Sequence, residues 1–198
     1  MGIAEVTLHR LQLPLPKPYE VAFKTYTTFD PILVEIQDDN GSIGWGEAHI
    51  PEGYSAYETP GRGLEFCRSR AAAIVGLSVD EAKVEIDRYS SESPMAVTAL
   101  ITALEMLAED PILKTEESTH IPLLANISSK SIDEIPDEIE RHLEAGFRTI
   151  KLKVGFDVDD DLARAKTSWA AIDGRAAFRM DANRNYSMED ALVFVRGL

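Results

Sequence analysis

The residues of this chain best suited to chemistry lie between Phe147 and Asn183. F-R-T-I-K-L-K-V-G is followed there by an acidic helical stretch and then by A-F-R-M-D-A-N. Both ends read as buried strands that finish in polar side chains. Strand side chains alternate between faces with a period of two. Lys151 and Lys153 therefore point one way, and Arg179, Asp181 and Asn183 share a face on the next strand. Two lysines and a carboxylate near the C-terminal ends of consecutive strands form a site rather than a core. Each residue also has a plainer reading. A K-x-K alone is more often a solvated strand edge, Asp181 alone is equally a cap or turn residue, and Arg179 is as readily a structural ion-pair residue as a site residue. K-x-K after an apolar strand, matched by D-x-N on the next, favours function.

The elements that must position these groups alternate. Residues 122–127 (P-L-L-A-N-I) are a short apolar strand, and Ser131 to Ala145 is a helix with a capping box (Ser131, Glu134) and a Gly146 stop. Thr149 to Val154 is a strand. Val158 to Ile172 is a helix with Leu162, Ala165 and Trp169 on one face. Ala177 to Ala182 is a strand, and a further helix starts at Met188. Strand and helix in alternation with short loops give a parallel β/α architecture. A closed (β/α)₈ barrel takes roughly 250 residues, so the series, which stops after its third strand, is expected to be truncated with an open edge.

The part before it differs. Residues 3–14 read as a strand closed by Pro14 and Pro16, and residues 17–30 as a loop rich in aromatic residues and Thr. Residues 32–37 and 42–48 flank Asn40-Gly41, a hairpin turn signal. A three-stranded antiparallel sheet over residues 3–49 is expected, then a polar aromatic loop at 50–62. Three helices follow, from Leu64 to Val75, from the capping box Ser78/Glu81 to about Tyr89, and from Ser93-Pro94 onward. The fold class is thus an α+β N-terminal cap domain, an antiparallel meander plus helices, over residues 1–120. The first three β/α units of an incomplete TIM-type barrel occupy residues 121–198.

The whole composition narrows the field. The 198 residues are 44% hydrophobic and 27% charged, as in a soluble globular protein. With 34 acidic against 20 basic residues the net charge is -14, which argues against nucleic acid or an anionic membrane as partner. No run approaches the ~18 apolar residues of a membrane helix, the N-terminus carries no signal-peptide pattern, and a cytoplasmic location is expected. Cys67 is the single cysteine, so no intramolecular disulfide forms, and it reads as packing. His9, His49, His120 and His142 show no metal-binding spacing.

The order of these parts resembles the enolase superfamily, in its mandelate racemase and muconate lactonizing (muconate cycloisomerase-like) type. G-W-G-E (44–47) stands in the small domain, K-L-K (151–153) on the second strand of the β/α series and D-A-N (181–183) on the third, in register from about Ile3 to Leu198. The resemblance implies an isomerase or lyase that removes the proton α to a substrate carboxylate through an enediolate. Racemisation, epimerisation, cycloisomerisation or dehydration would follow. It implies Lys153 as the acid/base, Lys151 as the group that polarises the substrate carboxylate, and Asp181 as the first of three carboxylate ligands of Mg²⁺ (or Mn²⁺). Asn183 would lie near the metal and count, with Tyr19, Phe23 and Tyr26, among the substrate-binding residues. The carbon acid is too weak for a lysine unless positive charge holds the enediolate, and a metal supplies it. The base must be uncharged, which desolvation and neighbouring positive charge favour. K-x-K with no histidine base in view tilts the reading toward the cycloisomerase-like group, dipeptide epimerases included.

The implied partners are a small-molecule carboxylate and either a second copy of the chain (a homo-oligomer) or a complementing C-terminal chain. The second and third metal ligands and the opposing acid/base of the family lie beyond Leu198, so the 198-residue chain alone is expected to be inactive. Two rivals stand beside this reading. One is an inactive truncated or split chain that only self-associates or binds a complementing chain. The other is a barrel enzyme that uses Lys153 as a Schiff-base lysine, which leaves Asp181 and the cap domain without a role.

Overall fold

The computed structural model describes residues 2–21, 24–53 and 58–198. The chain divides into two compact units, Met1–Tyr19 with Tyr26–Glu117, and Glu20–Thr25 with Ser118–Leu198.

In the first unit, β1 (Ile3–Arg10), β4 (Ile32–Asp38) and β5 (Ile43–Ala48) form an antiparallel sheet in the order β1-β4-β5. Its inner face carries Val34, Ile36 and Ala48, and it is covered by α1 (Pro60–Ile74), α2 (Val79–Asp87) and α3 (Pro94–Leu107). The G-W-G motif acquires a mechanical reason here. A Cβ at Gly44 would overlap the carbonyl of Ala103, and one at Gly46 that of Ala99, so the two glycines let β5 lie directly on the backbone of α3. Ser78 and Glu81 form the expected reciprocal capping box of α2. At α3 the cap is not Ser93 but the buried Glu58, which accepts from the amides of Met95 (3.1 Å) and Ala96 (2.8 Å) and from the Ser93 hydroxyl (2.7 Å).

Among the described residues of the expected loop at 17–30, most lie in two strands instead, β2 (Leu13–Val21) and β3 (Lys24–Phe29), paired as a separate two-stranded sheet. Pro14, Pro16 and Pro18 hid it. Proline removes a ladder donor, but in a two-stranded sheet each strand has one unpartnered edge where no donor is needed.

The second unit is a parallel sheet in the order β6-β7-β8, built from Ala125–Ile127, Thr149–Lys153 and Ala177–Asp181. The helices α4 (Ile135–Glu144), α5 (Val158–Ile172) and α6 (Met188–Gly197) follow these strands. Ile150 and Leu152 of β7 are fully buried with Ile135, Ile139 and Ile172 of the helices, which leaves Lys151 and Lys153 on the opposite face.

Three local expectations are corrected. Ser131 makes no capping bond; a 3₁₀ turn at Ile132–Glu134 precedes α4, because Pro136 has no N–H and fits only the first turn of the helix. The buried face of α5 is Asp161, Ala165, Ser168 and Ile172, while Trp169 is 65% exposed. The polar members of that face are accommodated by hydrogen bonds, such as the 2.8 Å bond from the Ser168 hydroxyl to the Arg164 carbonyl. Finally, β8 ends at Asp181, and Asn183 and Arg184 adopt left-handed backbone angles (φ 47° and 62°).

Candidate active site

The register of β7 on β8 sets Lys151 beside Arg179 and Lys153 beside Asp181. Partners in register on parallel strands share a face, so the two lysines and the carboxylate converge at the C-terminal strand ends. Lys153 Nζ donates to Asp181 Oδ2 at 2.7 Å, and Lys151 Nζ lies 3.5 Å from the same oxygen. The lysine side chains are 15% and 19% exposed for Lys153 and Lys151, and that of Asp181 is 32% exposed. The hydrogen bond from Lys153, with the Asn183 amide and both lysine charges, outweighs partial desolvation and holds the Asp181 carboxyl below the usual carboxylate range.

Asn183 reaches the group by a route that strand alternation does not describe. Its left-handed backbone lets its N–H donate to Asp181 Oδ1 at 3.0 Å, while its side-chain oxygen accepts from Lys153 Nζ. Arg179 is exposed on β8, beside its register partner Lys151, which belongs to the cluster.

The turn after β7 is fixed from several sides. Gly155 has φ +100°, and a Cβ there would come within 2.7 Å of the Ala182 carbonyl, which accounts for the glycine in K-L-K-V-G. Asp161, 1% exposed on α5, accepts through Oδ2 from the amides of Gly155 (2.8 Å) and Phe156 (2.9 Å) and from the Tyr186 hydroxyl (2.8 Å). Arg164 binds Asp161 Oδ1 at 3.2 Å and donates to the backbone carbonyl of Lys153 at 3.2 Å. Asn185 Nδ2 donates to the Gly155 carbonyl at 2.6 Å. Burial, then the contact with Asp161, pushes the Tyr186 phenol well up from its ordinary value. The turn after β6 is held in the same manner. The buried Glu138 of α4 accepts from the amides of Ser128 and Ser129 and from the Ser128 hydroxyl. Burial pushes Glu138 up, but these bonds outweigh it and lower the group to about 2.

Of the aromatic residues expected near substrate, Phe23 lies outside the described residues. In the first unit, Tyr19 keeps a partly exposed ring edge-on to Phe29, at 6.2 Å between centroids. Tyr26 is buried against Phe29 and His49 rather than standing in an exposed loop. Among the described residues no three His, Cys, Asp or Glu side chains gather into a group that could hold a metal ion. Asp181 and the Asn183 amide offer the oxygen donors that Mg²⁺ takes, but they are one carboxylate and one neutral group.

Asp161, Arg164, Tyr186 and Glu138 did not stand out in the sequence. The available signal for Asp161 was its spacing from Ala165, Ser168 and Ile172, masked by the run of acids around it.

The family described as enolase C-terminal domain-like matches residues 134–198, the stretch that holds Lys151, Lys153, Asp181 and Asn183. Along nearly its whole length the chain is similar to curated epimerases. It is 28% identical to the L-Lys-D/L-Arg epimerase of Methylococcus capsulatus over 207 residues, covering 97% of this chain and 56% of that protein. The resemblance is to the enolase superfamily, mandelate racemase and muconate lactonizing type. To the Bacillus subtilis L-Ala-D/L-Glu epimerase the chain is 24% identical, over 99% of its length and 56% of that protein's. Among solved structures it resembles the Methylococcus capsulatus dipeptide epimerase complexed with Mg and the dipeptide L-Arg-D-Lys, with a TM-score of 0.80 at 26% identity, covering 99% of this chain and 58% of that one. The N-succinyl Arg/Lys racemase of Bacillus cereus shares the fold at a TM-score of 0.89 and 20% identity, over 100% of this chain and 57% of that one. The chain thus spans little more than half the length of these relatives. No helix among the described residues is long and apolar enough to cross a membrane.

Proposed function

We propose that this chain carries the cap domain (residues 1–120) and the first β/α units (residues 121–198) of a Mg²⁺-dependent epimerase or racemase acting on a small carboxylate such as a dipeptide. The observation that carries the reading is the pairing of Lys153 with Asp181 at the C-terminal ends of β7 and β8, with Lys151 on the same face. The names of the similar epimerases support the substrate class.

In this reading Lys153 takes or returns the proton at the α-carbon through Nζ. Lys151, 3.5 Å from the shared carboxylate oxygen, supplies a fixed positive charge that orients the substrate carboxylate. Asp181 is one oxygen ligand of the metal, and Asn183 holds Lys153 and Asp181 together through its side chain and amide. A bound Mg²⁺ supplies the charge that stabilises the anion left by proton removal. Tyr19, Phe23 and Tyr26 are the candidate substrate contacts of the cap, and of the two whose burial is described Tyr19 has the exposed ring.

The test uses the natural polypeptide expressed from its own reading frame. It is incubated in D₂O with Mg²⁺ and a panel of dipeptides, and loss of the α-proton signal is followed by NMR. Exchange is expected with the unaltered protein and not with Lys153→Ala, a loss of several orders of magnitude for removal of a positioned base.

One observation favours a second reading, a non-catalytic chain that self-associates or binds a complementing chain. Leu192, Val193 and Val195 of α6 are exposed apolar residues. Absence of exchange with every dipeptide at every Mg²⁺ concentration would return that reading.

A further inference from the structure

The carboxylate of Asp161 has no part in the proton transfer proposed above, yet it is almost wholly buried and takes bonds from three segments. Gly155 and Phe156 belong to the turn after β7, Tyr186 to the turn after β8, and Arg164 to its own helix. Arg164 passes the restraint on to Lys153 itself, through the 3.2 Å bond to its backbone carbonyl. Asn185 and the amide of Val154, which donates to the Asp181 carbonyl at 3.1 Å, tie the same two strand ends a second time.

We propose that Asp161 is the positioning residue of this site. By gathering both strand-end turns on one carboxylate it sets the end of β7 against the end of β8, and so fixes the approach of Lys153 Nζ to Asp181. A buried carboxylate satisfied by several donors is costly to disturb, because losing it leaves those donors unpaired in a dry interior. The inference rests on the reading of Lys153 as the acid/base, but its geometry is independent of any metal or substrate.

Glu138 supplies the control. It holds two successive amides of the turn after β6 in the same manner, and its hydrogen bonds go to Ser128 and Ser129 of that turn. A merely structural role would make the two carboxylates equivalent.

The experiment uses the 198-residue chain with ¹³C-labelled lysine, at one pH and without metal. The Lys153 ¹³Cε chemical shift and the rate of Lys153 acetylation by a trace of acetic anhydride are compared with those of Lys166 in unaltered chain, Asp161→Asn and Glu138→Gln. In Asp161→Asn the Lys153 resonance is expected to move and its acetylation to rise several-fold, with Lys166 unchanged. In Glu138→Gln both lysines are expected to stay as they are while thermal stability falls. A Lys153 signal unmoved in Asp161→Asn, with amide exchange at Gly155 accelerated, would overturn the proposal and leave Asp161 a structural residue. Should Asp161→Asn not fold, Tyr186→Phe removes the one donor from the neighbouring turn, and an unmoved Lys153 there overturns the proposal equally. Neither readout uses turnover, so failure of the clamp is distinguishable from failure of the α-proton exchange.

Discussion

At the scale of single residues, buried carboxylates do most of the shaping. Glu58, Glu138 and Asp161 each satisfy backbone amides that would otherwise be orphaned at a helix start or a strand-end turn. Glu138 gives a prediction with a definite pH window. Its folded value of about 2 lies below the 4.5 of the free group, so folding favours the charged form. Its contribution is therefore complete above pH 4.5 and is lost as pH falls through that value toward 2. Glu138→Gln is expected to lower stability by about 2 kcal/mol at pH 7. In urea unfolding followed from pH 7 to pH 3, the gap between the two proteins should close. A gap that stays constant would mean the charge of Glu138 is not what the Ser128–Ser129 turn needs.

At this scale the sequence was legible where chemistry and spacing agreed. Lys151, Lys153 and Asp181 announce themselves because strand alternation forces them onto one face beside an apolar set, Ile150 and Leu152, that must be buried. Asp161 did not, because an acid in the run 157–161 has the same local signature whether it caps a helix or enters the interior. Only the arrival of Gly155, Phe156 and Tyr186 around it, an outcome of tertiary packing, separates it from Asp159 and Asp160. Strand alternation does not account for how Asn183 meets Asp181, since the strand stops before it and a left-handed turn makes the bond.

At the scale of elements, two contrasting cases show what decides legibility. The capping box at Ser78 and Glu81 is a wholly local device, and it forms as read. The one expected at Ser131 and Glu134 does not, because Pro136 dictates where the helix can begin. Proline likewise obscured β2, whose pairing depends on which edge faces a partner rather than on residue type. The contact of β5 with α3 was invisible in the same sense, since G-W-G reads as a motif until the carbonyls of Ala99 and Ala103 are seen against it. Gly46→Ala adds one methyl group where backbone already stands, so the strand or the helix must shift. A loss of about 3 kcal/mol or more is expected from such overpacking, measured as a lowered midpoint in urea with an unchanged slope. A neutral outcome would mean that the sheet and helix separate more easily than their packed backbones imply.

At the scale of the whole molecule, 34 acidic residues outnumber 20 basic ones. A net charge of -14 disfavours the compact state through self-repulsion, and salt screens repulsion between exposed charges over about 10 Å at 0.1 M. The melting temperature is therefore expected to rise by a few degrees between 10 mM and 150 mM NaCl. A fall would mean that surface pairs such as Arg175–Glu140, at 2.8 Å, outweigh the general repulsion.

The ties around Gly155 also set an order in time. The carbonyl of Gly155 waits for Asn185, and the carboxylate that holds its amide waits for Tyr186, residues 30 and 25 positions further along the chain from their partners. During synthesis at roughly 5–20 residues per second, β7 leaves the ribosome seconds before the segment that finishes its end. The strand that bears Lys153 is made early and completed late.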